Sequence, residues 1–258
     1  MKINSLHDKK VVVIGGTSGI GMAIAAAALN EGARVVVASS QQANVQAALK
    51  RLEGAAGFAV DVKDEGSVAS FFKEVGPFDH LAFTAGDWGG GLGFGGSARE
   101  LDLAAAQAAF TVRFWGALAV VKHGSRTIAG GGSITLTDGM LAHRPRKGAP
   151  IVTAMAGAIE HLTRALAVDL APVRVNAVCP GLVMTEHTSQ LPEQVRRTFT
   201  ARLPLARGAE PAEVAEAYLY LMRGGYTTGQ TLIVDGGATI RSQWGMTPDL
   251  IPQYRDNF

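Results

Sequence analysis

A glycine-rich segment near the N-terminus is the clearest candidate for ligand chemistry in the sequence. It reads Gly15-Gly16-Thr17-Ser18-Gly19-Ile20-Gly21 and separates a run of β-branched residues from an alanine-rich stretch. Glycines permit a tight turn and a close backbone approach, and the helix that follows offers its unpaired N–H groups to a phosphate. The segment therefore predicts a dinucleotide site. Gly91, Gly93 and Gly96 also match a G-x-G-x-x-G spacing, but they follow no strand directly and are interpreted as a flexible loop.

Seven apolar runs alternate with alanine-rich stretches and would place this segment at the edge of a sheet. Strands are predicted at residues 11–14, 34–38, 58–60, 79–83, 133–137, 174–178 and 231–234, and helices at 19–30, 44–52, 68–75, 101–123, 153–170 and 210–223. The alternation is typical of parallel β-α-β units and predicts an α/β fold, with one doubly wound sheet in a single domain, 1–258. Ligands bind beyond the carboxyl ends of such strands, so the loops at 86–96 and 187–208 could cover a site.

Composition and charge exclude several other classes of protein. A chain of 258 residues, of which 47% are hydrophobic, can bury a sizeable core without a disulfide or a structural metal. Its 24 basic and 22 acidic residues nearly balance, so we expect neither nucleic acid nor a membrane as a partner. The single cysteine, Cys179, excludes an internal disulfide and a paired-cysteine metal motif, and no metal site is predicted. No apolar run approaches the roughly 20 residues of a membrane span, so we expect a cytoplasmic protein.

Five segments, in order, resemble the motifs of the classical short-chain dehydrogenases/reductases, from about residue 9 to residue 237. The segment 15–21 is similar to the cofactor loop of that family, Asp61-Val62 to its adenine-contacting pair, and Thr84-Ala85-Gly86 to the tail of its Asn-Asn-Ala-Gly motif. Residues 165–185, with Pro180, Gly181, Val183 and Thr185, resemble the region that lines the nicotinamide side, and residues 227–238 resemble the last strand. The resemblance implies a Rossmann-type sheet, a nicotinamide cofactor, and a homotetramer or homodimer.

The catalytic residues that the resemblance implies are not found in this sequence. The family uses an asparagine, a serine, and a tyrosine four residues before a lysine; the matching positions here are Arg113, Gly139, Val152 and Ala156. A count that needs no alignment agrees, because the first tyrosine is Tyr218 and no lysine follows Lys147. No Tyr-x-x-x-Lys therefore exists in the chain. Since a positioned proton donor contributes about 10²–10⁴ in rate, another group must act, or the reaction differs, or none occurs.

Three side chains are candidates for the missing role, each with a structural alternative. Arg113 could clamp a carboxylate or phosphate of a substrate, or it could fill space and pair with Asp138 or Asp87. His143 carries an imidazole, which could act as an acid or base, or it could be solvated in its loop. Asp138, beside the serine position, could be a base or a member of an ion pair.

The cofactor and the class of function remain open between alternatives. Ser39 and Ser40 stand where an acid would favour NAD(H) through the ribose, and Ser40 and Ser18 stand where the family's NADP members carry a basic residue. Small hydroxyls tolerate a 2′-phosphate, so NADP(H) is favoured over NAD(H). We predict an NAD(P)(H)-dependent oxidoreductase with a non-standard active site and a small-molecule substrate. The alternatives are a catalytically silent dinucleotide-binding protein, such as the partner of a complete sister subunit, and a non-redox enzyme such as a lyase.

Overall fold

A parallel sheet of seven strands forms the centre of the protein. The computed structural model describes residues 5–86 and 96–240. The strands are β1 (Lys10–Ile14), β2 (Arg34–Ser39), β3 (Ala56–Ala59), β4 (Phe78–Phe83), β5 (Ile128–Thr137), β6 (Arg174–Pro180) and β7 (Thr231–Val234). They lie in the order β3-β2-β1-β4-β5-β6-β7, and every neighbouring pair is parallel. The predicted Rossmann-type α/β fold is confirmed; the domain limits at 1–258 stay a prediction.

Helices cover both faces of this sheet. They are α1 (Gly19–Asn30), α2 (Gln42–Leu49), α3 (Glu65–Val75), α4 (Leu103–Phe110), α5 (Ala117–Gly124), α6 (Pro150–Asp169), α7 (Glu186–Ser189), α8 (Glu193–Thr200) and α9 (Pro211–Arg223). Val12 and Ile14 of β1 pack in a core with α3, α5 and α6, whereas Val11 and Val13 pack in a second core with α1, α2 and α9. Alternate residues of a strand point to opposite faces, so the all-apolar sequence of β1 is what a sheet covered on both sides requires.

Two segments differ from the sequence-based expectation. The helix predicted at 101–123 is interrupted by a π-helical turn, Thr111–Gly116, which carries Arg113. The prediction of a loop over 187–208 is wrong in part, because α7 and α8 form there.

By length and composition, the helical run 103–124 and α6 could each cross a membrane, a property that core helices of soluble proteins share. Asp87, Gly91 and Gly93 of the predicted loop at 86–96 lie outside the described residues.

Candidate functional site

The carboxyl ends of β1, β4, β5 and β6 meet at one edge of the sheet. β1 and β4 are neighbours although β2 follows β1 in the chain, so the winding of the sheet reverses between them. Open α/β sheets bind ligands at such a reversal. Gly15 follows β1, Ala85 and Gly86 follow β4, Asp138 follows β5, and Gly181 follows β6. The other residues predicted to bind the cofactor lie at the same edge: Thr17, Ser18, Gly19, Ile20, Gly21, Ser39, Ser40, Asp61, Val62, Pro180, Val183 and Thr185.

The glycines of the loop between β1 and α1 lie where an added side chain would meet neighbouring atoms. A Cβ atom on Gly21 would lie 2.2 Å from the Gly15 carbonyl oxygen and 2.5 Å from Thr84 Oγ1. Gly15 and Gly19 have φ angles of +87° and +49°, which favour glycine. Ser18 makes no side-chain hydrogen bond to the first turn of α1, so the helix presents its backbone N–H groups at the loop. This cradle of backbone fits the phosphates of a dinucleotide.

The residues on the predicted adenine side differ in how they could contact a ligand. Ser39 ends β2 and is partly buried, and Ser40 beside it is exposed. Asp61 follows β3 and is partly buried. Val62 is buried, and a Cβ atom on Gly116 would lie 2.8 Å from its Cγ2 atom. The Val62 side chain therefore belongs to the core, and its backbone is what this position offers to a ligand.

On the predicted nicotinamide side, the chain leaves β6 in a tightly packed turn. Pro180 is the last residue of β6, and the Gly181 N–H donates to the Val234 carbonyl oxygen (2.9 Å). Val183 is buried, and Thr185 accepts a hydrogen bond from the Thr188 N–H at the start of α7. The turn thereby fixes the start of α7 beside the glycine loop.

A carboxylate that no motif indicated occupies the N-terminus of α1. The backbone N–H of Gly19 donates to Oε2 of Glu186, the first residue of α7, over 3.1 Å. The other oxygen of Glu186 lies 3.7 Å from the guanidinium of Arg51. Because a helix N-terminus favours an anion, Glu186 stands where the residues of the loop would hold a phosphate of the cofactor.

Replacing Glu186 with glutamine should therefore tighten the binding of an anionic cofactor. The Glu186→Gln variant removes a negative charge that competes with the phosphates, so we expect the Kd of NADPH to fall by about 3- to 10-fold. Isothermal titration calorimetry measures it. Glu193→Gln, at an exposed residue of α8, is the matched control and should leave the Kd unchanged. An unchanged or higher Kd in Glu186→Gln would show that the carboxylate does not compete.

The four positions that the resemblance assigns to the missing tetrad surround the end of β5. Val152 and Ala156 lie on α6, which packs against the turn that follows Gly139. Ala156 is buried. The guanidinium of Arg113 packs on Gly86, where an added Cβ atom would lie 2.6 Å from Nη2. Arg113 is thus a cation at the carboxyl end of β4, as its candidate role requires.

Four titratable side chains form a compact group behind these positions, which we call the Asp138 cluster: Asp138, His143, Glu160 and Cys179. The carboxyl groups of Asp138 and Glu160 are within hydrogen-bonding reach of each other. The Nε2 atom of His143 lies 2.5 Å from Glu160 Oε1. Only His143 is substantially exposed. The structure therefore connects two of the sequence-predicted residues, Asp138 and His143, through a third that was not predicted.

Burial and a second carboxyl group favour the protonated form of Asp138. Its pKa is raised to about 8, chiefly because burial disfavours the carboxylate and also because Glu160 lies beside it. The N–H of Gly139 and the positive charge of Arg113 act in the opposite direction. Burial raises the pKa of the Cys179 thiol as well, which disfavours its reactive thiolate form.

The distances alone would also allow a metal ion in the Asp138 cluster. The candidate ligand atoms of Asp138, His143 and Cys179 all lie within 4.8 Å of one another. The Nε2 atom of His143, however, already lies 2.5 Å from Oε1 of Glu160. The absence of a metal site stays a prediction.

Glu160, like Glu186, is a site residue that sequence reasoning missed. It lies four residues after Ala156 on α6, so both project from the same face of the helix. Its side chain is 8% exposed, which is unusual for a glutamate. The only signal in the sequence was that a charged residue, Glu160, lies one helical turn after Ala156, where the family has its lysine.

Most of the chain is similar in sequence and in structure to known proteins. The family described as Enoyl-(Acyl carrier protein) reductase matches residues 15–239. The short-chain dehydrogenase/reductase ATR9 of Stachybotrys chlorohalonatus is 36% identical over 256 residues, covering 92% of this chain and 99% of the relative. A solved small-chain dehydrogenase in complex with NADPH is 37% identical, with a TM-score of 0.76 over 90% of this chain and 99% of the other. The MalC reductase/Diels-Alderase of Malbranchea aurantiaca is 30% identical, with a TM-score of 0.85 over 93% of this chain and 100% of the other.

Proposed function

Because the chain belongs to the short-chain dehydrogenase/reductase family, we infer that it is an NADP(H)-dependent reductase in which Asp138 is the proton donor. The observation that carries this proposal is the buried carboxyl group of Asp138 at the carboxyl end of β5, beside the cation of Arg113, and its raised pKa of about 8 favours the acid form. The sequence lacks the Tyr-x-x-x-Lys that forms the phenol–ammonium pair of the family, because no tyrosine precedes a lysine by four residues. A carboxylic acid takes its place.

The glycine loop and the ends of β2 and β6 would hold the cofactor. The backbone of 15–21 would bind the phosphates, and Ser39 and Ser40 would face the ribose. The end of β2 carries Ser39 and Ser40 instead of an acidic residue that would repel a 2′-phosphate. A similar solved protein is in complex with NADPH, so NADP(H) is the preferred cofactor. When bound, the reduced nicotinamide supplies a hydride.

Asp138 and Arg113 would divide the remaining work. Reduction of a carbonyl places an electron pair on the substrate oxygen, which must then take a proton. A carboxyl group whose pKa is about 8 still carries its proton at neutral pH and can donate it. Arg113 would stabilise the carboxylate that Asp138 leaves behind, since its charge favours the ionised form.

The assembly is proposed on the same basis of family membership. We propose a homodimer or homotetramer in the cytoplasm. Large apolar side chains are exposed on the two long helical runs, among them Leu103, Trp115 and Val168, and a second copy would cover such side chains.

The test of this function is the loss of turnover when Asp138 becomes asparagine. With a panel of carbonyl compounds, wild-type protein should oxidise NADPH, and Asp138→Asn should lower kcat by about 10²–10⁴ while it still binds NADPH. Asp169→Asn, at an exposed position on α6, is the control and should keep full activity.

Two outcomes would contradict the proposal. Unchanged turnover in Asp138→Asn would remove Asp138 from the role of donor. Conversion of substrate without oxidation of NADPH would point to a redox-neutral reaction. The name of the similar MalC reductase/Diels-Alderase includes one such reaction, a Diels-Alder cyclisation. Chelating agents should leave the activity unchanged, because none of the proposed steps uses a metal.

A further inference from the structure

A series of closely spaced polar side chains leads from Asp138 towards the surface. Its first link joins Asp138 to Glu160, both of which are more than nine-tenths buried. The structure brings their carboxyl groups into hydrogen-bonding reach, and neither oxygen of Asp138 finds a neutral donor among the described side chains. Burial and the neighbouring Glu160 carboxyl group raise the pKa of Asp138, which favours a proton held between the two groups. When one oxygen donates, the other accepts.

The second link is the 2.5 Å ion-pair contact between Glu160 Oε1 and His143 Nε2, which becomes a hydrogen bond once the imidazole turns its N–H towards the carboxyl group. Imidazole can donate from Nε2 and can take up another proton at Nδ1, so it passes a proton through its ring. Arg164 lies at 3.9 Å from the other oxygen of Glu160, which is beyond a direct hydrogen bond. His143 is therefore the partner that exchanges protons with Glu160.

The third link joins His143 to water. Its side chain is 30% exposed, compared with 8% for Glu160. It lines an open surface cleft of about 490 Å³ together with Arg164, Ala167, Val168 and residues 228–231. His143 is the place where the series of side chains meets the solvent.

We propose that Glu160 and His143 form a proton relay that returns a proton from solvent to Asp138 after each turnover. The relay rests on the proposed function, because it supplies the donor named there. Each cycle moves one proton: Asp138 gives it to the substrate oxygen, Glu160 passes one to the Asp138 carboxylate, His143 passes one to Glu160, and water protonates His143. The hydride comes from NADPH, and no other reactant is needed.

The other charged or titratable side chains that face Asp138 do not interrupt this path. They are Arg113 on the π-helical turn, Cys179 on β6 and Tyr218 on α9. Arg113 has no proton to give at neutral pH. Burial raises the pKa of both the Cys179 thiol and the Tyr218 hydroxyl, so both stay neutral, and Tyr218 is already hydrogen-bonded to Thr137 Oγ1 (2.7 Å).

A spectroscopic titration tests the relay without any substrate or cofactor. Infrared spectra of the free protein should show the carbonyl stretch of a protonated carboxyl group at pH 7, and Asp138→Asn should lack it. In Glu160→Gln, the band should disappear at least about one pH unit lower, because the second carboxyl no longer raises the pKa of Asp138. In His143→Ala, it should persist to higher pH, because the pair has lost its donor. His161 is an exposed histidine on α6, the helix that carries Glu160. The His161→Ala variant is the control and should titrate like wild type.

Kinetics supply the second readout. His143→Ala should lower kcat by about tenfold with KM unchanged, and added imidazole should restore the rate, whereas His161→Ala should behave like wild type. A titration that is unchanged in either Glu160→Gln or His143→Ala overturns the relay. If the band shifts as expected but Asp138→Asn still turns over, the proposed function fails while the shared proton stands. If Asp138→Asn is inactive and His143→Ala titrates like wild type, the function stands and the relay fails.

Discussion

Replacing Gly21 with alanine is expected to raise the Kd of NADPH by at least about 100-fold and to lower the stability of the fold by about 1–3 kcal/mol. The added Cβ atom would overlap the carbonyl oxygen of Gly15 at 2.2 Å and Thr84 Oγ1 at 2.5 Å. Both contacts are far inside van der Waals distance, and one of them is rigid backbone. The loop must therefore move away from α1, and the backbone N–H groups then no longer converge on one phosphate.

Two measurements separate the loss of binding from the loss of stability. Urea denaturation gives the free energy of unfolding, and calorimetry at a temperature where the variant is folded gives the Kd of NADPH. Gly130→Ala is the matched control, because an added Cβ atom at Gly130 meets nothing within 4 Å. If Gly21→Ala bound NADPH as tightly as wild type, the glycine loop would not be the phosphate site.

The fold was predictable because its signals are local. The four-residue run Val11–Ile14 is apolar on both faces, which only a doubly covered strand tolerates, and the structure extends it by one residue, Lys10. The helix predicted at 101–123 begins at Leu103, because the Asp102 side chain accepts from two N–H groups of the first turn. Such rules need only the neighbouring residues.

The Asp138 cluster was only partly predictable because it forms between distant parts of the chain. Asp138 and His143 lie close together in the sequence, and the resemblance drew attention to their region. Glu160 becomes significant only when α6 packs beside β5 and excludes water from its carboxyl group. Glu186 likewise acquires a role only because α7 folds against the N-terminus of α1. The type of a residue is a poor guide to the chemistry of its side chain when burial in the folded protein decides whether that side chain is protonated.

The stability of the protein should depend on pH through Asp138. Its pKa in the folded protein, about 8, exceeds the usual value of 3.8. Between these two values the folded state therefore binds more protons than the unfolded chain, and the free energy of unfolding falls as the pH rises through this window. Asp138→Asn cannot titrate there. Relative to wild type, the variant should therefore gain about 2–4 kcal/mol of stability between pH 5 and pH 8.

Urea denaturation of both proteins at several pH values between 5 and 8, without cofactor, measures this gain. Taking the difference between variant and wild type removes the contribution of every group that titrates equally in both. Asp169→Asn should show a difference that does not change with pH, because Asp169 is exposed. Glu160→Gln should show part of the same gain, since it lowers the pKa of Asp138 towards its usual value. A constant difference between Asp138→Asn and wild type would mean that Asp138 is ionised throughout, and the proton donor would then have to be sought elsewhere at the edge of the sheet.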